Sequence, residues 1–311
     1  MSASGTRPAR TAAVFLLPFF LVFGVFTVYP LILSAILAVQ QTHGPEYATF
    51  VGIDNFAALA RDADFHKAVR NTIVYTLGSV FIQLPLALGL AMLLNRPGLT
   101  GRGVYRLIFF SPQLMGLVFV AMLAALVFES RTGMLNIALD RTIGRVIDPG
   151  TLLFWIPALE NIDWPAFPWL QTFIMPMLII ASLWMYVGYN MVYFLAALQN
   201  IDRSLIEASA VDGAGPLTRF WHVTLPAIRP VGSFVVLLSV IGSLQLFELP
   251  YIILEQSGGP QNRGLTIVMY LYQSGFESGD LGYASAIGWV LALMLIVLAL
   301  GQIWIMRRED R

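Results

Sequence analysis

The chain has 311 residues, 58% of them hydrophobic and 12% charged, whereas soluble globular domains run near 45–50% apolar and about 25% charged. That balance excludes an ordinary soluble enzyme. Cysteine is absent, which excludes a disulfide framework, a thiolate nucleophile, an Fe–S cluster and a Cys-based zinc site. Lys and Arg total 18 against 18 Asp and Glu, without the basic excess of a nucleic-acid binder.

A bilayer core of about 30 Å needs roughly 20 mostly apolar residues in one helix. Six runs reach that length: Thr11 to Val39, Thr72 to Leu94, Leu107 to Phe128, Phe173 to Leu198, Val231 to Leu254 and Tyr283 to Met306. The expected fold is an all-α membrane protein with six transmembrane helices. The first run follows Arg7 and Arg10; its apolar stretch far exceeds a signal-peptide h-region, so it reads as a retained anchor. Cytoplasmic loops hold the excess of Lys and Arg. With both termini inside, eleven fall inside, Arg102, Arg106, Arg203 and Arg219 among them, and seven outside. Both termini are therefore expected to be cytoplasmic.

Between the first two runs, Phe56, Leu59 and Ala60 are spaced for a short amphipathic helix on the outer surface. Between the third and fourth, the apolar patch Leu152 to Leu159 with Trp155, Trp164 and Trp169 is too short to cross. Tryptophan favours the headgroup level, so an interfacial or re-entrant segment is expected there. Pro30, Pro85, Pro112 and Pro176 are expected to kink helices.

The longest inner loop, Gln199 to Pro230, reads as two short helices. Ser204 and Glu207 match a capping box and predict a helix from Leu205 to Val211. Asp212-Gly213 supplies the stop. Pro216 opens a second helix, with Leu217, Phe220 and Trp221 on one face, ended by Leu225-Pro226. Such a rigid knob suits docking into another protein's groove.

Glu207-Ala208-Ser209, Asp212-Gly213-Ala214 and Leu225-Pro226 together resemble the EAA loop of bacterial ABC importer permeases, with Ser209 in place of an alanine. Three further groups resemble the sugar-type branch, similar to the maltose and glycerol-3-phosphate permeases. They are Phe50-Val51-Gly52-Ile53-Asp54-Asn55-Phe56 with Asn71-Thr72; Phe247-Glu248-Leu249-Pro250-Tyr251 with Gly258-Gly259-Pro260; and Leu281-Gly282-Tyr283-Ala284. The resemblance implies a type I ABC importer permease fold: an anchor helix and outer amphipathic segment over 1–70, a permease domain over 71–306 and a cytoplasmic tail over 307–311. It implies a permease subunit of an ATP-driven, binding-protein-dependent sugar importer in a bacterial plasma membrane, working by alternating access. The implied partners are a cytosolic ATPase dimer, a second permease subunit and an extracytoplasmic sugar-binding protein. This chain is expected to hold no cofactor, ATP and Mg being used by the ATPase. Independently, a P-loop needs a lysine in G-x-x-x-x-G-K-[ST], and the single lysine, Lys67, stands in Phe65-His66-Lys67-Ala68.

By the resemblance, Glu207 and Gly213 lie at the ATPase contact, with Ala208, Ser209, Asp212, Leu225 and Pro226 completing the loop. Solute contacts map onto Tyr189, then Ser239 and Ser243; Asn190 and Gln245 add hydrogen-bonding capacity, and aromatic faces suit sugar C–H surfaces. Glu248 is the one acid within a run, where a carboxylate is costly unless it faces a cavity or a partner. Solute contact and structural pairing both fit it, and Pro250 beside it is expected to kink the helix. Gly258, Gly259 and Pro260 suit either binding-protein docking or a plain turn. Two rivals remain: an importer permease for a non-sugar solute, and a stand-alone secondary transporter, which predicts charged relays where Glu248 stands alone. His43, His66 and His222 are scattered over both faces, so no metal triad is expected.

Overall fold

The computed structural model describes residues 6–43, 47–96, 98–142 and 167–309. The first run folds as α1 (Thr6–Phe23), a π-helical turn at Gly24–Val28, and α2 (Tyr29–Ala38). Pro30 has no N–H for the carbonyl four residues back. The turn before it absorbs the mismatch, with the Tyr29 N–H bonding to the Gly24 carbonyl. An antiparallel hairpin follows, β1 (Gln40–His43) and β2 (Tyr47–Phe50), with Gln40 opposite Phe50 and Thr42 opposite Ala48. The expectation of an all-helical chain omitted this hairpin. α3 (Asp54–Leu59) buries Asn55 and Leu59 and leaves Ala60 exposed, so its buried face is turned from the expected one.

Next come α4 (Ala63–Leu94), α5 (Arg102–Met115), α6 (Leu117–Phe128), α7 (Met134–Thr142), α8 (Trp169–Thr172) and α9 (Ile174–Gln199). They are followed by α10 (Arg203–Val211), α11 (Pro216–Arg219), a π-helical turn at Phe220–Thr224, α12 (Leu225–Leu244), α13 (Glu248–Ile253), α14 (Ile267–Tyr272) and α15 (Leu281–Glu309). Among the described residues, five stretches are long and apolar enough to cross a membrane: Phe15–Ala38, Ala63–Leu94, Ile174–Gln199, Pro216–Ile253 and Leu281–Met306.

The third expected run is not straight. α5 and α6 meet at 97°, and the bend sits at Gly116 (φ 82°, ψ 153°), a conformation open to glycine. α6 alone has 12 residues, about 18 Å of helix, too short for the bilayer core, so a sixth crossing needs both halves. Pro112 lies inside α5, short of the bend. Pro176 falls in the first turn of α9 and Pro85 inside α4. The patch Leu152 to Leu159, with Trp155 and Trp164, lies outside the described residues; Trp169 opens α8 and donates through Nε1 to Asn136 Oδ1 at 2.5 Å.

The chain forms two compact units, Met1–Asp62 with Tyr270–Met294, and Ala63–Met269 with Leu295–Arg311. In the first, polar ties join separate segments. Asn55 Nδ2 donates to the Ala38 and Gln40 carbonyls at 3.0 and 2.8 Å. Thr42 Oγ1 donates to Asp280 Oδ1 at 3.1 Å and accepts from the Gly282 N–H at 2.9 Å. Tyr270 and Tyr283 both donate their hydroxyls to Asp62 Oδ2. A Cβ at Gly282 would stand 1.9 Å from the Gln40 carbonyl oxygen, so only glycine fits. The Asn55 and Leu281-Gly282-Tyr283-Ala284 motifs thus have a mechanical cause: Asn55 ties α3 to the start of the hairpin, and Gly282 seats the last helix against it.

In the second unit, α4, α9 and α12 pack around Leu84, Ala87, Met191, Leu195 and Ile228, while Leu178, Ala121 and Leu249 belong to a separate core. α9 comes close to α5: a Cβ at Gly188 would lie 1.8 Å from the Phe109 carbonyl oxygen. Asn71 Nδ2 donates to the Asn262 and Leu265 carbonyls at 2.8 and 3.0 Å, and Thr72 Oγ1 accepts from the Ile267 N–H at 3.1 Å. Asn71-Thr72 therefore clamps the loop that carries Gly258-Gly259-Pro260.

Candidate solute cavity and coupling surface

Residues three and four apart share a helix face. On α4 that spacing aligns Tyr75, Ser79 and Gln83; on α9 it aligns Tyr186, Tyr189 and Asn190; on α12 it aligns Ser239, Gly242 and Ser243. These faces line one cavity of about 90 Å³. Ser79 Oγ donates to Gln83 Oε1 at 2.9 Å, and the Tyr189 and Tyr193 hydroxyls pair at 3.0 Å with their rings edge to face. The Tyr75 hydroxyl has Ser182 and Ser79 as hydrogen-bonding neighbours. None of the described lining residues carries a formal charge. Such a wall offers hydroxyl, amide and aromatic contacts and no ion pair.

The cavity gathers four of the residues singled out from sequence, Tyr189, Asn190, Ser239 and Ser243. Gln245 lies in the link after α12 and is exposed. Glu248 is also exposed; it lies within the stretch Pro216–Ile253, as expected, and opens α13 just after the helix break at 245–247. Pro250 falls in the first turn of α13, where the absent N–H leaves no bond unmade. The expected kink is replaced by that break, and the fifth apolar stretch begins earlier than expected, at Pro216. Tyr75, Ser79, Gln83 and Tyr186 were not anticipated. Their signal was present: a polar stripe at every fourth position of an otherwise apolar run.

In the loop between α9 and α12, the helix cap is Asp202, whose carboxylate accepts the Ser204 N–H at 2.9 Å. This replaces the expected box of Ser204 with Glu207, because Asp202 takes the extended backbone a cap requires (φ −61°, ψ 123°). The same bond holds the Asp202 carboxyl below the usual carboxylate range. Gly213 (φ 77°) turns the chain in the left-handed region. Pro216 stands in the first turn of α11. The second helix does not end at Leu225-Pro226 as expected: it runs through the π-turn into α12, where Pro226 occupies the first turn. The loop's second leg is thereby continuous with the fifth crossing. Glu207, Ala208, Asp212 and Pro226 are exposed and Ser209 and Leu225 half-buried. Val211 is 88% exposed, Leu217 72% and Trp221 56%.

Gly258 is buried and its carbonyl accepts the Gly264 N–H at 2.8 Å; Gly259 has φ 68°. Of the three, Pro260 alone presents an exposed side chain. At the end of α6, Glu129 accepts the backbone N–H groups of Arg131 and Thr132, which lowers its pKa to about 2.

Membrane-crossing helices around a polar cavity whose described lining residues carry no charge, with a two-helix knob between two of them, define an integral membrane transport subunit. Residues 83–311 match the family described as binding-protein-dependent transport system inner membrane component. The chain belongs to that family. It is 35% identical over 293 residues to the arabinooligosaccharides transport system permease protein AraP of Halalkalibacterium halodurans, covering 94% of this chain and 86% of that one. Identity is also 35% over 303 residues to the lactose transport system permease protein LacF of Rhizobium radiobacter, covering 95% and 94%. A bacterial alginate ABC transporter, solved in complex with an alginate pentasaccharide-bound periplasmic protein, superposes with a TM-score of 0.81 at 22% identity, covering 98% of this chain and 96% of that one. The type I ABC importer permease fold expected from the EAA resemblance is borne out, and the chain is a multi-pass membrane permease subunit.

Proposed function

We infer that the chain is the permease subunit of an ATP-driven sugar importer in a bacterial plasma membrane, with both termini cytoplasmic. The observation that carries the sugar class is the cavity wall, in which tyrosine, serine, glutamine and asparagine converge with no charged group among the described lining residues. Neutral hydroxyls are matched by such groups, and an anion would meet no countercharge. The relatives named for arabinooligosaccharide and lactose transport support the same class.

The cavity of about 90 Å³ is smaller than the roughly 300–1,000 Å³ of drug-sized ligand sites. Its three-sided wall is completed by a second permease subunit, and alternating access opens it in turn to each side. Force enters through the knob. Glu207, Gly213 and the apolar groups Val211, Leu217 and Trp221 dock on a separate cytosolic ATPase dimer, which uses ATP and Mg. Because the knob's second leg continues into α12, displacing it moves Ser239 and Ser243 along the cavity. An extracytoplasmic sugar-binding protein delivers the solute on the side of Gly258, Gly259 and Pro260.

Affinity purification of the tagged chain from native membranes, followed by mass spectrometry, tests the assembly. An ATPase and a second permease are expected in the eluate. A chain recovered alone that moves lactose into liposomes without ATP would establish a stand-alone secondary transporter instead.

A further inference from the structure

The α4 stripe contains a donor that the protein leaves unused. Gln83 is 2% exposed and lines the cavity. Its Oε1 takes the Ser79 hydroxyl at 2.9 Å, while its Nε2 is buried without a hydrogen-bond partner among the described residues. Buried amide donors are nearly always paired, because an unmade bond retains the full cost of desolvation. Ser79 is itself 1% exposed, and with its hydroxyl donating to Oε1 the amide nitrogen is the end left over. An amide at this depth, held by one end and orphaned at the other beside a polar cavity, is arranged as a recognition group.

We propose that Gln83 Nε2 donates a hydrogen bond to a neutral oxygen of the transported solute, a hydroxyl or ring oxygen of a glycan, and that Ser79 is the positioning residue that holds the amide for it. α4 then supplies a third recognition wall beside α9 and α12. This rests on the sugar-importer reading of the same cavity. A carboxylate solute would also accept the bond but would find no cation among the described lining residues, so selection favours uncharged oxygen acceptors.

The test uses the whole transporter, reconstituted in proteoliposomes with its co-purified subunits and binding protein. The probes are lactose and α-1,5-arabinotriose, then the monodeoxy analogues of whichever is accumulated. A site built to bond one oxygen rejects the analogue that lacks it. Wild type is expected to translocate one analogue at least about tenfold more slowly than the parent sugar. Gln83→Leu is expected to slow the parent and to erase that discrimination, and Ser79→Ala to reduce it in part. A merely structural role lowers all rates together and leaves the ratios unchanged. Should Gln83→Leu fail to assemble, Ser79→Ala, which keeps the donor, carries the test. Unchanged ratios in the variant that assembles would overturn the role of Gln83 while leaving the sugar reading intact. Wild type accumulating neither sugar would overturn the sugar reading itself, and the proposal with it.

Discussion

The knob and the cavity invert the usual placement of polarity. On α10, α11 and the turn after them, Val211, Leu217 and Trp221 stand exposed; between α4, α9 and α12, Ser79, Gln83 and Asn190 are buried among apolar helices. Each arrangement is unfavourable in isolation, one through uncovered apolar area and the other through desolvated polar groups. In the proposed function each is covered in the working assembly, the first by a protein surface and the second by a hydroxylated solute. Where a chain departs from its own folding rules, it shows what it is built to meet.

The sharpest way to break the comparison is to remove the frame that both regions share. Gly188→Ala would drive a Cβ to 1.8 Å from the Phe109 carbonyl. The helices must separate, at a cost of about 3 kcal/mol, read as a large fall in Tm of the purified complex and loss of transport. Gly213→Asp acts on the knob alone. Uptake is expected to fall at least about tenfold, from one lost interfacial fit, with ATP hydrolysis persisting and membrane insertion unchanged; uptake at the wild-type rate would remove the knob from the coupling path. Ser243→Ala acts on the cavity alone. Loss of one hydroxyl contact of about 1 kcal/mol should slow translocation roughly fivefold, with the subunit contacts intact by co-purification.

Smaller effects separate cap from contact. Asp202→Ala removes the bond to the Ser204 N–H and should fray α10, seen as faster hydrogen exchange over 203–206 with little change elsewhere. The pH dependence has a definite sign: the folded-state pKa of Asp202 is lowered, so its stabilisation is present above the ordinary carboxylate range and is lost as pH falls through the lower, folded value. Glu129 behaves alike, its contribution complete above 4.5 and lost as pH falls toward about 2. The carboxyl carbon shift in a titration checks this; a midpoint at 4.5 would show that the turn bonds are not made.

The knob was legible because its signals are local. Gly213 and Pro216 each impose a backbone conformation wherever they stand. The cap was misassigned because Asp202 and Ser204 are both competent caps, and only the backbone angles at Asp202 choose between them. The cavity was half legible. Tyr189, Asn190, Ser239 and Ser243 emerged through a family pattern, whereas Ser79 and Gln83 look, in sequence, like ordinary interhelical hydrogen bonders. The breaks at Gly116 and at 245–247 escaped because a count of apolar residues is blind to bends. The ties of Thr42 to Asp280 and Gly282, and of Asp62 to Tyr283, span more than 200 residues, and spacing along a sequence carries no trace of such distant partners.

Transport itself tests the central claim most directly: lactose and arabinotriose uptake into proteoliposomes holding this chain with its co-purified subunits, with and without ATP and the binding protein. The account predicts accumulation against a gradient only when ATP and the binding protein are both present. Equal uptake by this chain alone, without ATP, would contradict it.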